Sequence, residues 1–207
     1  MILICGGAAF SSGGDVLRFR DAVNAGNGPN YARDVVGSLQ ALVLRLIRMP
    51  HLVGVAVRGA ATGGAAGLLF AADLAIVAPD AFVQPYYTQV GFAPDGGWTA
   101  LLPERIGAGR ALDWLLSNRR IGAAELVSLG LVRGVSPEPE RAVLAALTEP
   151  TNSSALAAKR LIWDRARQDL VAARLSAETE CFVAQLDTPE ATDGMARFLE
   201  KRARAHV

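Results

Sequence analysis

Gly13-Gly14 and Gly63-Gly64 are the first residues in this chain whose type and spacing could serve a reaction. The first pair ends Ala8-Ala9-Phe10-Ser11-Ser12-Gly13-Gly14-Asp15, soon after the apolar run Ile2 to Cys5. The second lies in Gly59-Ala60-Ala61-Thr62-Gly63-Gly64-Ala65-Ala66-Gly67, where the run Leu52 to Val57 has stopped and a helix opens. Adjacent glycines let main-chain N–H groups approach a ligand unobstructed, and ligands of parallel sheets bind at the carboxyl ends of strands. The helix opening at the second turn adds its free amides and its dipole. Donors from both turns could converge on one carbonyl oxygen that becomes negative during reaction, as thioester enolates and tetrahedral intermediates require. Either turn alone also suits plain capping glycines; the pair points to chemistry. Neither turn is followed by Gly-Lys-Ser/Thr or carries a spaced Gly-x-Gly-x-x-Gly, so phosphate loops are not indicated.

Asp95, in Gly91-Phe92-Ala93-Pro94-Asp95-Gly96-Gly97-Trp98, is the candidate proton carrier. It also suits an N-cap ahead of a helix. A carboxylate beside Phe82, Phe92 and Trp98 would be partly desolvated, and the raised pKa would fit general base and acid work near neutrality. Tyr86 and Tyr87 could hydrogen-bond or, with Phe82 and Trp98, line an acyl pocket; packing with a satisfied hydroxyl is the alternative. His51 follows Pro50 at the start of a strand and His206 sits at the tail, so neither is placed for catalysis. No His/Asp/Glu cluster has ligand spacing and no nucleophile motif is present, so neither a metal site nor a Ser/His triad is expected.

These residues need positioning elements. Ile2 to Cys5 and Leu52 to Val57 read as buried strands. Between them Val35, Val36, Leu39, Leu42, Val43, Leu46 and Ile47 recur at helical spacing and stop at Met49-Pro50. Thr62 to Ala72 reads as a helix and Leu74 to Val77 as a third strand, an alternation that predicts βαβ crossovers and a mostly parallel sheet. Asn24 to Asn30 reads as a mobile surface loop. Beyond Gly96 only Leu131 to Val135 looks extended. Ala155 to Arg167, Leu170 to Gln185 and Pro189 to Arg204 read as helices, with breaks near Asp169 and at Asp187-Thr188-Pro189. Their apolar stripes need a partner surface, in this subunit or a neighbour.

At 207 residues and 51% hydrophobic, the chain can bury one sizeable core. A net charge of +1, from 21 basic and 20 acidic residues, offers no basic stripe for nucleic acid. Cys5 and Cys181 form no framework or zinc spacing, which fits a reducing cytoplasm. Neither a signal peptide nor a membrane span is expected.

The segments Phe10 to Asp15 and Gly59 to Leu68 followed by Asp73, the stretch Arg119 to Val132, and Phe198-Leu199-Glu200-Lys201-Arg202 resemble, in order, the crotonase (enoyl-CoA hydratase/isomerase) superfamily. The resemblance runs almost end to end. It implies an α/β crotonase-like spiral of ββα units over residues 1–140 and a helical C-terminal trimerisation region over 141–207, assembled as a homo-trimer or hexamer. It implies an acyl-CoA substrate, with coenzyme A arriving as part of that substrate, no tightly bound cofactor, and no membrane partner. The Gly14 and Gly64 amides match the oxyanion-hole positions, and Lys201 matches a basic position that approaches the CoA nucleotide, often from a neighbouring subunit. The family's opening strands and Asn-Arg-Pro-type turn would precede Ile2. Where hydratases carry their first catalytic glutamate this chain has Gly67, and where the second follows a proline it has Tyr86 after Pro85. Pro94-Asp95-Gly96-Gly97 looks like the segment in which some isomerases and aryl-CoA dehalogenases place a catalytic aspartate. The resemblance therefore implies an enzyme that shifts a double bond or proton next to a CoA thioester, with Asp95 as acid/base. A silent acyl-CoA-binding subunit, or a hydratase, hydrolase or dehalogenase, is the alternative.

Overall fold

In a computed structural model the described residues are 1–4, 7–148 and 152–204. Cys5 and His206 lie outside them. The chain opens with β1 (Ile2–Leu3), α1 (Val16–Asn24) and the long α2 (Gly28–Arg48), then β2 (Gly54–Val57), β3 (Ala60–Thr62), a 3-10 turn (Gly63–Ala65) and α3 (Ala66–Phe70). A second such unit follows as β4 (Leu74–Val77), β5 (Phe82–Gln84) and α4 (Tyr87–Val90). Next come α5 (Leu102–Ile106), α6 (Ala108–Ser117), β6 (Ile121–Gly122), α7 (Ala123–Ser128), β7 (Gly134–Val135) and α8 (Pro139–Thr148). The carboxyl-terminal helices are α9 (Asn152–Ile162), α10 (Arg165–Leu186) and α11 (Pro189–Arg204).

Strands β1, β2, β4 and β7 pair in that order, all parallel. A second sheet runs β3-β5-β6, parallel between β3 and β5 and antiparallel between β5 and β6. The simple strand-helix alternation read from periodicity gives way to the ββα units that the resemblance implies: the chain leaves one sheet at Arg58-Gly59, adds three residues to the other, and only then turns into a helix. Ala60–Thr62 and Phe82–Gln84 are too short to show a period of two, which hid them in the sequence. β2 is buried along its whole length. Its Val55 and Val57 enter the main core with Val43, Leu46 and Ile47 of α2, while Ala56 meets Ile76 and Val143 on the other face.

Three expectations shift. Asn24 to Asn30 is mostly helical, with Asn24 ending α1, Asn27 preceding α2 and Pro29 in the first turn of α2, where a missing N–H costs nothing. The break expected near Asp169 falls at Trp163-Asp164 instead. Asp164 caps α10 by accepting the Arg167 amide at 2.8 Å, and Asp169 sits inside the helix, paired with Arg165 one turn back. Ile121–Gly122, outside the one stretch beyond Gly96 expected to be extended, is a short strand because it closes the second sheet.

α2 and α10 pack antiparallel: Ala32 and Val36 share a cluster with Phe182 and Leu186, and Val43 and Ile47 share another with Val171 and Leu175. Lys159 of α9 fastens the approach to β2. Its Nζ donates to Asp73 Oδ2 (2.7 Å) and to the His51 and Leu46 carbonyls (3.0 and 3.3 Å), and the same Asp73 oxygen accepts the Val53 amide at 2.7 Å. That buried ion pair is satisfied on both sides, the condition under which burying charge is tolerable.

The segment Pro94–Gly97 lies main chain against main chain on the Gly63–Gly67 turn. A Cβ at Gly67 would overlap the Gly96 carbonyl, and one at Gly96 would overlap the Gly64 carbonyl. Gly67→Ala is therefore expected to destabilise the protein by about 3 kcal/mol in urea unfolding despite the better helix propensity of alanine. Gly37→Ala, on α2 with open space at its Cβ, is the control and should be neutral or slightly stabilising. Equal stability of the two variants would refute this packing account.

Candidate active site

The first glycine turn reaches the second through main-chain hydrogen bonds. The Phe10 amide donates to the Arg58 carbonyl (2.9 Å), the Ser11 amide to Ala60 (2.9 Å), and the Thr62 amide to Ser11 (3.0 Å). These make a short parallel bridge of Ser11 with Ala61 beside β3. Close approach follows: a Cβ on Gly63 would sit 3.9 Å from the Gly13 Cα. Asp15, one residue on, caps α1 by accepting the Leu17 and Arg18 amides, so the first turn is held between a strand and a helix.

Both turns border one cavity of about 950 Å³. Gly14, Gly64, Phe82, Tyr86, Tyr87, Asp95 and Lys201 all line it. Trp98 does not, and its expected place in the acyl pocket is corrected: it is fully buried behind the wall, edge-on to Phe70, Tyr87 and Trp114. Its indole N–H donates to the Gly63 carbonyl at 2.8 Å, so it anchors the second glycine turn from beneath.

Asp95 is 7% exposed. Its carboxylate lies over Gly64, with Oδ1 and Oδ2 at 2.6 and 2.9 Å from the point where a Cβ on that residue would stand. Tyr87 Oη donates to Oδ1 at 2.6 Å. Burial raises the Asp95 pKa to about 6; the tyrosine hydrogen bond opposes the rise and the nearby charge of Glu178 adds to it. Tyr87 moves further up, again chiefly through burial and then the adjacent carboxylate, so it remains a phenol that donates.

Glu178 carried no signal in the sequence beyond being one acid on a helix. It is 5% exposed on α10 and reaches into the loop that follows Asp95. Oε2 accepts the Gly97 amide at 2.8 Å, and Oε1 accepts the Thr99 amide (2.7 Å), the Thr99 hydroxyl (2.7 Å) and the Ala100 amide (2.9 Å). Four donors satisfy one buried carboxylate, and in return the loop presenting Asp95 is pinned to a helix 78 or more residues away in sequence.

Tyr86 is presented by a left-handed backbone, φ 66°, which a bulky residue adopts only when its surroundings impose it. The constraint is Asn118, itself at φ 52°, whose Oδ1 accepts the Tyr86 amide at 2.7 Å. Among the described residues lining the cavity, Asp95 is the only carboxylate and neither histidine nor cysteine occurs. No described cluster of His, Cys, Asp and Glu could hold a metal ion, and no described helix is long and apolar enough to cross a membrane.

Comparison with known proteins matches this architecture over nearly its whole length. The family model described as enoyl-CoA hydratase/isomerase matches residues 1–206. A probable enoyl-CoA hydratase of Rhodobacter capsulatus is 30% identical over 98% of this chain and 78% of its own length. The cyclohexa-1,5-dienecarbonyl-CoA hydratase of Thauera aromatica is 32% identical over 84% of this chain and 69% of its own, and 4-chlorobenzoyl coenzyme A dehalogenase-1 of an Arthrobacter species is 28% identical over 80% and 61%. The crystal structure of enoyl-CoA hydratase from Bacillus halodurans superposes with a TM-score of 0.84 at 25% identity, covering 95% of this chain and 80% of that one. With the ββα architecture, the paired glycine turns and a family match from end to end, this chain belongs to the enoyl-CoA hydratase/isomerase family of acyl-CoA-processing enzymes.

Proposed function

We propose that the protein moves a proton, and with it a double bond, next to a CoA thioester, using Asp95 as the sole acid/base. The observation carrying this reading is the position of the Asp95 carboxylate: the only acid among the described residues of the cavity wall, buried, and lying over Gly64. A 3-enoyl thioester whose carbonyl oxygen accepts the Gly14 and Gly64 amides would have its α-carbon close to that carboxylate. Asp95 removes the α-proton and the electron pair passes into the thioester, giving a dienolate whose oxygen the two amides hold. The protonated Asp95 then returns the proton at the γ-carbon, leaving the conjugated isomer and a regenerated carboxylate. Tyr87 keeps the carboxylate oriented, and Lys201 with Arg202 on α11 supplies positive charge at the cavity wall for the CoA phosphates.

Water addition is less well provided for. It calls for an acid and a base acting on two carbons, and the two positions where hydratases carry glutamate are Gly67, closed to any side chain by the Gly96 carbonyl, and Tyr86. Aryl dehalogenation through a carboxylate nucleophile needs a base to activate the hydrolytic water, and no histidine lines the described cavity.

Asp95→Asn is expected to lower kcat for a 3-enoyl-CoA by at least about 100-fold while leaving KM within severalfold, measured by the absorbance of the conjugated product. Retained turnover in that variant would end the proposal. The working form is the carboxylate, so kcat/KM should rise with pH through about 6 and level above it. Stability should run oppositely. A carboxyl whose folded pKa is raised from 3.8 to about 6 makes the native state bind the extra proton in that window, so stability falls as pH rises across it. The cost at neutral pH is on the order of 3 kcal/mol, and Asp95→Asn should abolish this part of the pH dependence in urea titrations at pH 4 and pH 7. Glu178→Gln leaves the Gly97 amide facing an NH₂ group; it should lower kcat by about 10-fold or more with little change in KM, since the loop carrying Asp95 is displaced rather than the cavity emptied.

A further inference from the structure

Gln84, Tyr86 and Asn118 are neighbours in the cavity wall. Gln84 ends β5, and its register partner on β3 is Thr62, the residue that leads into Gly63-Gly64. It therefore stands on the strand beside the one that carries the second glycine turn, about 5 Å across the sheet. Asn118 ends α6, just ahead of the β6 residues that pair with β5 on its other side. Gln84 Nε2 donates to the Asn118 carbonyl at 3.0 Å, and Asn118 Oδ1 accepts the Tyr86 amide at 2.7 Å. A main-chain carbonyl only accepts and a main-chain N–H only donates, so each carboxamide has a single orientation. What remains over is one acceptor, Gln84 Oε1, and one donor, Asn118 Nδ2. Among the described residues neither meets a protein partner, and neither is sealed in the interior, where every side-chain polar atom has one.

Much of the remaining wall is apolar, with Val35, Leu39, Leu68 and Val90 among its residues. Apart from Asp95, its charged residues are Arg197, Lys201 and Arg202, all on α11. The amide pair is thus an uncharged polar station on the sheet side of the cavity. A saturated chain laid over it would strip water from both free ends and return no hydrogen bond. A carboxylate or a ketone offers no donor to Oε1, and an ammonium offers no acceptor to Nδ2. A hydroxyl answers both at once: its oxygen accepts from Asn118 Nδ2 and its proton is donated to Gln84 Oε1.

From this we infer that the acyl group carries a hydroxyl beyond its reacting carbons, held between Asn118 Nδ2 and Gln84 Oε1. The inference rests on the reading above, in which the thioester oxygen accepts the Gly14 and Gly64 amides, and it specifies the far part of the same substrate. The hydroxyl takes no part in the proton transfer at Asp95. Gln84 and Asn118 decide which acyl groups are held, and Asn118 also keeps Tyr86 in its left-handed conformation.

The test exchanges a terminal methyl for a terminal hydroxyl on otherwise identical ligands of the full chain. 5-Hydroxypentanoyl-, 6-hydroxyhexanoyl- and 7-hydroxyheptanoyl-CoA are compared by calorimetry with hexanoyl-, heptanoyl- and octanoyl-CoA and with free CoA. All six carry a methylene in place of the thioester sulfur, so that the hydroxyl cannot displace CoA. In a plain apolar pocket the methyl ligand binds more tightly at every length, because the hydroxyl gives up water and finds nothing. Here the hydroxyl ligand should bind more tightly by at least about 5-fold at one length or more, as two net hydrogen bonds allow. Gln84→Met removes the acceptor and leaves the Asn118 grip on Tyr86 in place, and Asn118→Gly removes the donor while permitting φ 52°. Each should cut the hydroxyl preference by about 3-fold or more. A smaller fall in either variant, or a smaller or reversed preference at all three lengths, would overturn the hydroxyl assignment. The acyl-CoA reading would still stand if the methyl ligands bound more tightly than free CoA. If none of the six did, that reading would fall as well.

Discussion

Main-chain contact between the Pro94–Gly97 loop and the Gly63–Gly67 turn is the constraint on which the site depends. Because Gly64, Gly67 and Gly96 have no side chains, the two backbones meet directly, and the first functional group above the glycine turn is the Asp95 carboxylate. Close approach also buries that carboxylate and raises its proton affinity. Position and reactivity thus come from one packing event. The other nearby groups serve it: Tyr87 orients the carboxylate, Trp98 holds the Gly63 carbonyl, and Glu178 takes up the amides of the loop.

Burying two carboxylates near one another is unfavourable, and the structure treats them differently. Glu178 is surrounded by four donors, which stabilise its charge against the loss of solvent. Asp95 receives one side-chain hydrogen bond and little else, and its pKa is raised to about 6. The well-hydrogen-bonded partner acts as a fixed anchor, though burial raises its pKa as well, and the one with few donors is left able to exchange a proton near neutrality. Unequal hydrogen bonding, more than sequence separation or residue type, distinguishes the two buried carboxylates.

The carboxyl-terminal helices take part in the site as well as packing on the helices that precede them. α10 contributes Glu178 to the Asp95 loop and Phe182, packed against Phe19 and Phe92, to the apolar cluster beside the cavity, and α11 contributes Phe198 and Lys201 to the cavity wall. The cavity is therefore closed from the amino-terminal turn, the middle of the chain and its last helices together. Its integrity follows the α2–α10 packing, which joins the two ends of the molecule.

Local residue choice was enough to place several parts of this protein. Glycine pairs after apolar runs marked both turns, since few other residues permit such close backbone approach, and Asp95 stood out as an acid in an aromatic, glycine-flanked segment. The period of α2 and the runs of β2 and β4 were legible because burial on one or both faces leaves a pattern several residues long. Other parts had no local signature. Strands β3 and β5 are three residues each, the helix break at Asp164 depended on which of two aspartates became a cap, and Trp98 resembled a pocket residue until its neighbours enclosed it. Glu178 is the plainest instance: a glutamate on an amphipathic helix carries no mark of the loop it will meet 78 or more residues away. The sequence determined which groups were available and which turns could bring backbones together. Only the tertiary structure decided which carboxylate lost its water and which kept its hydrogen bonds, because desolvation belongs to the packed neighbourhood and is not written in any single residue.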